Sequence, residues 1–273
     1  MIKNIIFQKF KKGSITYFYS SLFFPNEIRS DIFSLYAFVR TADDFIDGIP
    51  QDRTGLSEFY NSYIKAKKGL IQKDPIIDSF VKLSNRCGFK DEWIKSFFNS
   101  MKADLTKKEY GSMAELEKYI YGSAEVIGLM MASILRLPQK SYPYAQMLGK
   151  SMQFANFIRD IKIDLELGRT YIPSEHLHKF DLKNFKQIKT DSEKKMFVSL
   201  IGHECEIYRR WQSEAEKGFR YIPKRLLVPI KTASDMYKWT INKIESDPIF
   251  ILDGPIKPSK IRVILSAVAS FLT

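Results

Sequence analysis

The sequence predicts an all-α fold, and three observations lead to this prediction. Apolar residues recur at helical spacing along most of the chain, and no convincing run of alternating strand residues interrupts them. Glycine and proline are few, with 13 and 11 among 273 residues, which favours long helices over a turn-rich β architecture. Hydrophobic residues make up 45% of the chain, enough for a sizeable core. Because no repeat or low-complexity linker divides the sequence, we expect a single domain over residues 1–273.

The first strong helix is predicted at about 26–47. It starts after Pro25, carries Ile28 and Ile32 on its apolar stripe, and ends at Gly48. Helical periodicity and helix-breaking prolines predict the remaining helices at about 54–70, 74–86, 91–107, 112–136, 139–167, 191–219, 222–246 and 257–272.

The chain is basic, with 43 Lys and Arg against 31 Asp and Glu and a formal net charge of +12. A surplus of this size suits an anionic partner, such as nucleic acid, a phosphorylated substrate or an acidic membrane surface. No helix-turn-helix signature, zinc knuckle or basic-aromatic cluster is found, so we expect no nucleic-acid partner.

The cysteine content and the chain ends indicate a compartment. Cys87 and Cys205 provide no disulfide framework, which indicates a reducing environment. Residues 1–13 lack the apolar stretch of a secretory signal. The apolar tail at 261–273 has about half the length that crosses a bilayer. We therefore expect a cytoplasmic protein, soluble or peripheral at a membrane.

A polar stripe runs along the predicted helix at 26–47. Tyr36, Arg40, Asp43 and Asp47 follow one another at steps of four, three and four, which places them on one helix face, and Asp44 lies beside them. Clustered carboxylates repel one another unless a cation lies among them.

The predicted helix at 139–167 repeats the arrangement. Gln153, Asn156, Asp160 and Asp164 follow at steps of three, four and four, and Arg159 flanks Asp160. A single carboxylate pair of this kind is more often explained by a solvated helix face. Two such pairs on largely apolar helices, each with an arginine, favour a shared site.

Oxygen ligands suit hard cations, and Mg²⁺ is typically held by a few carboxylates together with substrate phosphates. If the two helices face each other, their aspartates can gather Mg²⁺ around a diphosphate, and Arg40 and Arg159 can bind its oxygens. A neutralised diphosphate is a leaving group, and its departure from an allylic carbon leaves a carbocation that a dry aromatic pocket can shield.

At these residues the sequence resembles the squalene/phytoene synthase family, the head-to-head prenyl synthases. YAFVRTADDFID (36–47) and QFANFIRDIKIDLELGRTYIP (153–173) are similar to the family's two aspartate-rich motifs. Segment 12–25 resembles its N-terminal flap, and segment 119–131 resembles the helix that lines its pocket. The C-terminal part, including 257–260, looks like the end of phytoene synthases.

The resemblance implies an isoprenoid-synthase-type helical bundle with a central cavity. It implies that Mg²⁺, or Mn²⁺ in its place, is bound with the diphosphates by Asp43, Asp47, Asp160 and Asp164, with Asp44 as a further candidate. It implies catalytic contacts of Arg40 and Arg159 with diphosphate oxygens. Substrate contacts are implied for Ser14, Thr16, Tyr36, Arg40, Gln153, Asn156, Arg159, Arg169, Tyr171 and Tyr237.

The chain departs from the family pattern at two positions. Glu125 stands where the family usually has glycine, and Ile163 stands where it usually has an acidic residue. Neither departure removes a direct ligand. Outside the motifs, His176 and His178 form an H-x-H pair for which the sequence shows no third metal ligand.

The reaction that the resemblance implies is the condensation of two geranylgeranyl diphosphates to phytoene through a cyclopropyl (prephytoene) diphosphate. Squalene or dehydrosqualene synthesis from farnesyl diphosphate is the alternative, with NADPH required only for squalene. A class I terpene cyclase and a non-catalytic assembly factor are further alternatives, although the four retained motif aspartates favour catalysis. We expect a monomer or weak homodimer that contacts a membrane surface, because the product is a long hydrocarbon.

Overall fold

The computed structural model describes residues 2–70 and 74–272, and it confirms the all-α prediction. Within these residues the β pairing is limited to an isolated bridge between Glu109 and Thr170. The α-helices, numbered in chain order, are α1 (Ile2–Gly13), α2 (Ile15–Ser21), α3 (Asn26–Asp47), α4 (Arg53–Lys67), α5 (Pro75–Cys87), α6 (Asp91–Asp104), α7 (Met113–Ile120), α8 (Val126–Ile134), α9 (Tyr142–Arg159), α10 (Ile161–Glu166), α11 (Ser174–Lys179), α12 (Asp191–Glu216), α13 (Lys224–Ser246) and α14 (Lys260–Leu272).

Every predicted helix has a counterpart whose outer ends agree within about three residues. Helices α1, α2 and α11 were not predicted. Helix α2 is rich in aromatic and β-branched residues, which are weak helix formers. It is stabilised by its cap, where the Tyr17 backbone N–H donates to the Ser14 hydroxyl at 3.2 Å, and by packing of Phe18 edge-on against Phe10 of α1.

Two predicted helices are interrupted, so the prediction that each is continuous is wrong. The helix expected at 112–136 contains a π-helical turn at Tyr121–Glu125, between α7 and α8. The helix expected at 139–167 breaks at Asp160, whose backbone (φ −99°, ψ 14°) is not α-helical. Breaks of this kind frequently mark functional positions in helices.

The core consists of two hydrophobic clusters. One surrounds α3 to α6, where the rings of Phe38 and Phe80 stack at 3.7 Å. The other surrounds α9, α12 and α13, where Phe154 packs on Trp211 at 5.0 Å. Tyr17 of α2 packs against both clusters, so α2 lies between the halves that carry the two aspartate motifs.

Helices α8 and α9 approach each other closely at glycine positions. A Cβ atom on Gly128 would lie 2.2 Å from the carbonyl oxygen of Ala145, and one on Gly149 would lie 2.5 Å from that of Ala124. Only glycine permits this contact between the two backbones. The close packing fixes the position of α9, which carries the second motif.

No helix in residues 2–70 and 74–272 has both the length and the apolar character needed to span a bilayer. The predicted apolar tail forms α14, apart from Thr273, which lies outside the described residues.

Candidate active site

A cavity of about 500 Å³ lies between α2, α3, α8, α9 and α13. One end is lined by charged side chains and the remainder is mainly apolar. The sequence-predicted residues that line it are Ser14, Thr16, Tyr36, Arg40, Asp43, Asp47, Gln153, Asn156, Arg159, Asp160, Asp164, Arg169, Tyr171 and Tyr237. Asp44, the further candidate, is not among the lining residues.

The first motif occupies the C-terminal half of α3. Arg40 Nε lies 2.7 Å from Asp44 Oδ1, and its Nη1 lies 3.7 Å from Asp47 Oδ2. Lys9 of α1 lies 2.5 Å from the other oxygen of Asp44. Asp44 is thus bound by two cations at the rim. Burial, together with the charge of Asp47, raises the pKa of Asp43 to about 7, although Arg40 opposes the rise.

The second motif is divided by the break at Asp160. Arg159, the last residue of α9, binds both carboxylate oxygens of Asp160, at 2.8 Å from Nε and 2.5 Å from Nη2. Asp164 follows one turn later on α10. Burial and the neighbouring charge of Asp160 raise its pKa to about 8. In the absence of a bound cation this carboxyl is therefore largely protonated at neutral pH.

Arg169 joins the two motifs. Gly168, at φ +70°, turns the chain after α10, so that the Arg169 side chain points back toward α3. Its Nη2 donates to the Ile46 carbonyl at 2.7 Å and its Nη1 to Asp47 Oδ1 at 3.3 Å. Arg169 is only 5% exposed, and its Nε is buried without a partner. That N–H is a buried donor for which the described residues of the protein supply no acceptor.

Asp104, at the end of α6, is a cavity residue that sequence reasoning missed. It is 3% exposed and accepts hydrogen bonds from the hydroxyls of Tyr119 at 2.6 Å and Tyr171 at 2.8 Å. Burial raises its pKa to about 6. The sequence contains a signal, since Asp104 falls on the apolar face of α6 with Phe97 and Met101.

Further polar side chains that line the cavity belong to α2, α9 and α13. Tyr237 of α13 donates its hydroxyl to that of Tyr17 at 2.8 Å. On α9, Asn156 donates to Gln153 Oε1 at 3.2 Å, while its own Oδ1 is buried without a partner. Both Tyr237 and Asn156 were predicted from sequence, whereas Tyr17 was not.

These residues suit a divalent cation with a diphosphate. The carboxylates and the unpartnered Asn156 oxygen are hard oxygen ligands, which Mg²⁺ and Mn²⁺ prefer, and the free Arg169 N–H suits an anionic oxygen. Among the described residues no three carboxylates, histidines or cysteines stand close enough to enclose a metal ion by themselves. Mg²⁺ is typically held by one or two carboxylates together with substrate phosphates, and does not need an all-protein cage.

The H-x-H pair does not form a shared site. His176 Nδ1 lies 2.7 Å from Glu204 Oε1, a fully buried carboxylate of α12, while His178 is exposed. This hydrogen bond connects α11 to α12. It thereby also positions the segment that follows Arg169.

A model of the squalene/phytoene synthase family matches residues 10–262. The chain belongs to this family. Its members are prenyltransferases, and the chain is assigned to that enzyme class.

Among the chain's relatives are named phytoene synthases. It is 26% identical over 251 residues to the 15-cis-phytoene synthase of Synechocystis sp., which covers 85% of this chain and 73% of the relative. It is 28% identical over 202 residues to the phytoene synthase of Thermus thermophilus, an alignment that covers 72% of this chain and 68% of the relative. It is 25% identical over 200 residues to the 4,4'-diapophytoene synthase of Staphylococcus haemolyticus, an alignment that covers 71% of this chain and 70% of the relative.

Solved structures have the same fold. A ligand-bound dehydrosqualene synthase matches 99% of this chain and 95% of its own with a TM-score of 0.89 at 21% identity. Squalene synthase HpnC from Alicyclobacillus acidocaldarius matches 93% of this chain and 95% of its own with a TM-score of 0.79, also at 21% identity. These likenesses confirm the predicted isoprenoid-synthase architecture.

Proposed function

We propose that the protein condenses two molecules of geranylgeranyl diphosphate, head to head, to phytoene. The observation that carries the proposal is that carboxylates from two separate helices and the buried Arg169 meet at one end of a cavity that is otherwise mainly apolar. An allylic diphosphate has the same division, with a charged head and a long hydrocarbon tail. The phytoene synthases among the relatives favour the C20 substrate.

The charged end binds the diphosphates. Asp43 and Asp47 from the first motif and Asp160 and Asp164 from the second would hold Mg²⁺, or Mn²⁺, together with the diphosphates. The bound cation supplies the Lewis acidity that makes diphosphate a leaving group. Arg169 binds a phosphate oxygen through its free N–H and orients the departing group.

The reaction needs no external oxidant or reductant. One substrate loses diphosphate, and its C1 cation alkylates the 2,3-double bond of the second substrate. Loss of a proton closes the cyclopropane ring. The second diphosphate then leaves, the cation rearranges, and loss of a second proton gives phytoene. Two diphosphates and two protons are released for each product.

Aromatic side chains that line the cavity protect these cations from water. The rings of Phe157 and Tyr171 stack at 4.3 Å on the cavity wall, and Tyr36 stacks on Phe10 at 3.9 Å. Aromatic faces stabilise a nearby cation, and exclusion of water prevents its capture as an alcohol.

The C15 reaction is the second candidate. The diapophytoene synthase relative is a specific observation in its favour. Reduction of the final cation to squalene would in addition require NADPH. The cyclase and assembly-factor alternatives receive no support from the named relatives.

A product assay tests the proposal. Purified protein with Mg²⁺ is given geranylgeranyl or farnesyl diphosphate separately, with and without NADPH, and the hydrocarbons are identified by mass spectrometry. We expect phytoene from the C20 substrate without NADPH. If only a C30 product forms, the C15 reaction is the function instead of phytoene synthesis. If neither substrate gives a product, both reactions are refuted.

Matched variants show that the product comes from the cavity. Asp43→Ala and Asp160→Ala should each lower turnover by at least about 100-fold, because each removes a charge that holds the cation. Glu58→Ala removes an exposed carboxylate of α4 and should leave turnover unchanged. Wild-type rates in the two aspartate variants would contradict the assignment of the site.

A further inference from the structure

Helix α14 exposes a large apolar surface. It packs on α2 and α13 through Val263 and Ala267, both fully buried. Its other side consists of apolar residues that are 42 to 70% exposed, at the i, i+3, i+4 and i+7 spacing of one helix face: Ile261, Ile264, Leu265, Val268 and Phe271. A helix of 13 residues that is apolar on both sides is covered incompletely by its own protein.

The surroundings of this face are cationic. The chain from Lys257 to its end contains three basic residues and no acidic residue. The segment Lys217–Arg225, which leads into the first turn of α13, contains four basic residues and no acidic residue. Arg220 in this segment lies over the ring of Tyr221 at 4.8 Å, which combines a charge with an amphipathic aromatic side chain.

Both elements border the apolar end of the cavity. Phe219 and Ile222 from the segment Lys217–Arg225 line the cavity and are partly exposed, so this end of the cavity reaches the surface. Phe24 lines the same cavity, and the adjoining Phe23 contacts the ring of Phe271 in α14 at 6.0 Å. Phe271 of the exposed face thus contacts the chain neighbour of a residue that lines the cavity.

We propose that the exposed face of α14 and the basic segment Lys217–Arg225 together dock the protein on an anionic lipid bilayer, with the apolar end of the cavity against the membrane. The apolar residues enter the headgroup boundary, and the basic residues bind lipid phosphates. The bilayer then receives the hydrocarbon directly from the cavity; this last step rests on the proposed function, whereas the docking does not.

Charge favours lipid over a second copy of the chain as the occupant of this face. Two copies meeting through α14 would bring their basic segments together, in a protein whose formal net charge is already +12. An anionic bilayer neutralises the same charges. The apolar face alone would fit either occupant, so the surrounding charge decides between them.

Vesicle sedimentation tests the docking without substrate. Wild-type protein should pellet with vesicles containing about 30 mol% anionic phospholipid and remain in solution with zwitterionic vesicles. Leu265→Asp/Val268→Asp should weaken pelleting by about tenfold or more, because charges replace the inserted side chains. Val198→Asp, at a 40% exposed apolar residue of α12, is the matched control and should pellet like the wild type.

A second pair of variants tests the basic segment without changing α14. Lys224→Glu/Arg225→Glu should weaken pelleting by about fivefold or more, whereas Lys194→Glu/Lys195→Glu, with the same charge change on α12, should not. Equal pelleting of all variants would overturn the proposal. A concentration-dependent wild-type dimer that is abolished by Leu265→Asp/Val268→Asp, without vesicle binding, would assign the face to a second copy instead.

Product release is measured separately. With substrate in mild detergent, the Leu265→Asp/Val268→Asp variant should keep its single-turnover rate, since it leaves the charged end of the cavity intact. On anionic vesicles its multiple-turnover rate should fall below that of wild type. Equal multiple-turnover rates would refute delivery to the bilayer. If the wild type forms no product in a single turnover, the proposed reaction is refuted, but the result of the vesicle-binding experiment is unaffected.

Discussion

Replacement of Asp164 by asparagine should stabilise the metal-free protein while it abolishes catalysis. The carboxyl lies on α10 beside Asp160, and burial and that neighbouring charge raise its pKa from 3.8 to about 8. Above pH 8 the folded protein must hold a second, poorly compensated anion at this position. Asparagine has the same shape and no charge.

The size of the effect follows from the shift. One pKa unit corresponds to about 1.4 kcal/mol, so the full shift would correspond to about 6 kcal/mol. Because Asp164 is only partly buried, water screens its charge, and we expect a gain of about 1 to 3 kcal/mol in the free energy of unfolding. For a chain of this size, each kcal/mol raises Tm by about 2 to 4 °C.

The gain depends on pH in a defined direction. Between about pH 4 and pH 8 the folded wild type keeps a proton that the unfolded chain has released, so its stability falls as the pH rises. Asparagine has no such proton to lose. The advantage of Asp164→Asn should therefore be greatest at pH 8 and above, and it should vanish near pH 4.

Thermal unfolding in EDTA measures this effect, with Glu166→Gln as the control. Glu166 lies on the same helix, is exposed and pairs with Lys162 at 3.1 Å, so its replacement should change stability by less than about 0.5 kcal/mol. Addition of Mg²⁺ with inorganic pyrophosphate should stabilise the wild type more than Asp164→Asn. An Asp164→Asn variant that is no more stable than wild type at pH 8, or whose gain is independent of pH, would refute the reasoning.

Three further outcomes are expected. Arg169→Lys keeps the charge but loses the guanidinium contacts to Asp47 and the Ile46 carbonyl, so kcat/KM should fall by about 100-fold; an unchanged value would contradict the bridging role. Gly128→Ala should cost about 2 kcal/mol in chemical denaturation, because its Cβ would meet a backbone carbonyl at 2.2 Å; unaltered stability would show that α8 and α9 can separate. Because the pKa of Asp43 is raised to about 7, the apparent Mg²⁺ affinity in the presence of pyrophosphate should rise about tenfold between pH 6 and pH 8, with proton release in calorimetry, and a pH-independent affinity would contradict this.

The fold class was predictable because helical periodicity is a local property of the sequence. The position of α2 was not, since its residues favour helix only weakly and its stability comes from neighbours far away in the chain. The helix break at Asp160 could not be predicted from the sequence either. The residues around it suit a continuous helix, and the sequence does not reveal that Arg159 turns to bind the adjacent carboxylate.

The two aspartate stripes could be read from the sequence because their polar residues recur at helical spacing on largely apolar helices, whereas Arg169, Tyr171 and Tyr237 were expected only from the resemblance to the family. Asp104 escaped notice since it is a single carboxylate, and a single acidic residue at the end of a helix is usually solvated. Its partners Tyr119 and Tyr171 come from separate parts of the chain. Only the tertiary structure brings these three side chains together.

The arrangement of charge in the cavity connects stability with the proposed chemistry. Asp43, Asp104 and Asp164 all have raised pKa values, because burial disfavours their charged forms when no cation is present. A protein selected only for stability would replace such carboxyls, since uncharged residues of similar shape cost less to bury. Their retention at one end of an apolar cavity is explained if a cation and a diphosphate neutralise them during each turnover. Catalysis and the instability of the metal-free site then have the same electrostatic origin, so a variant that improves one should impair the other.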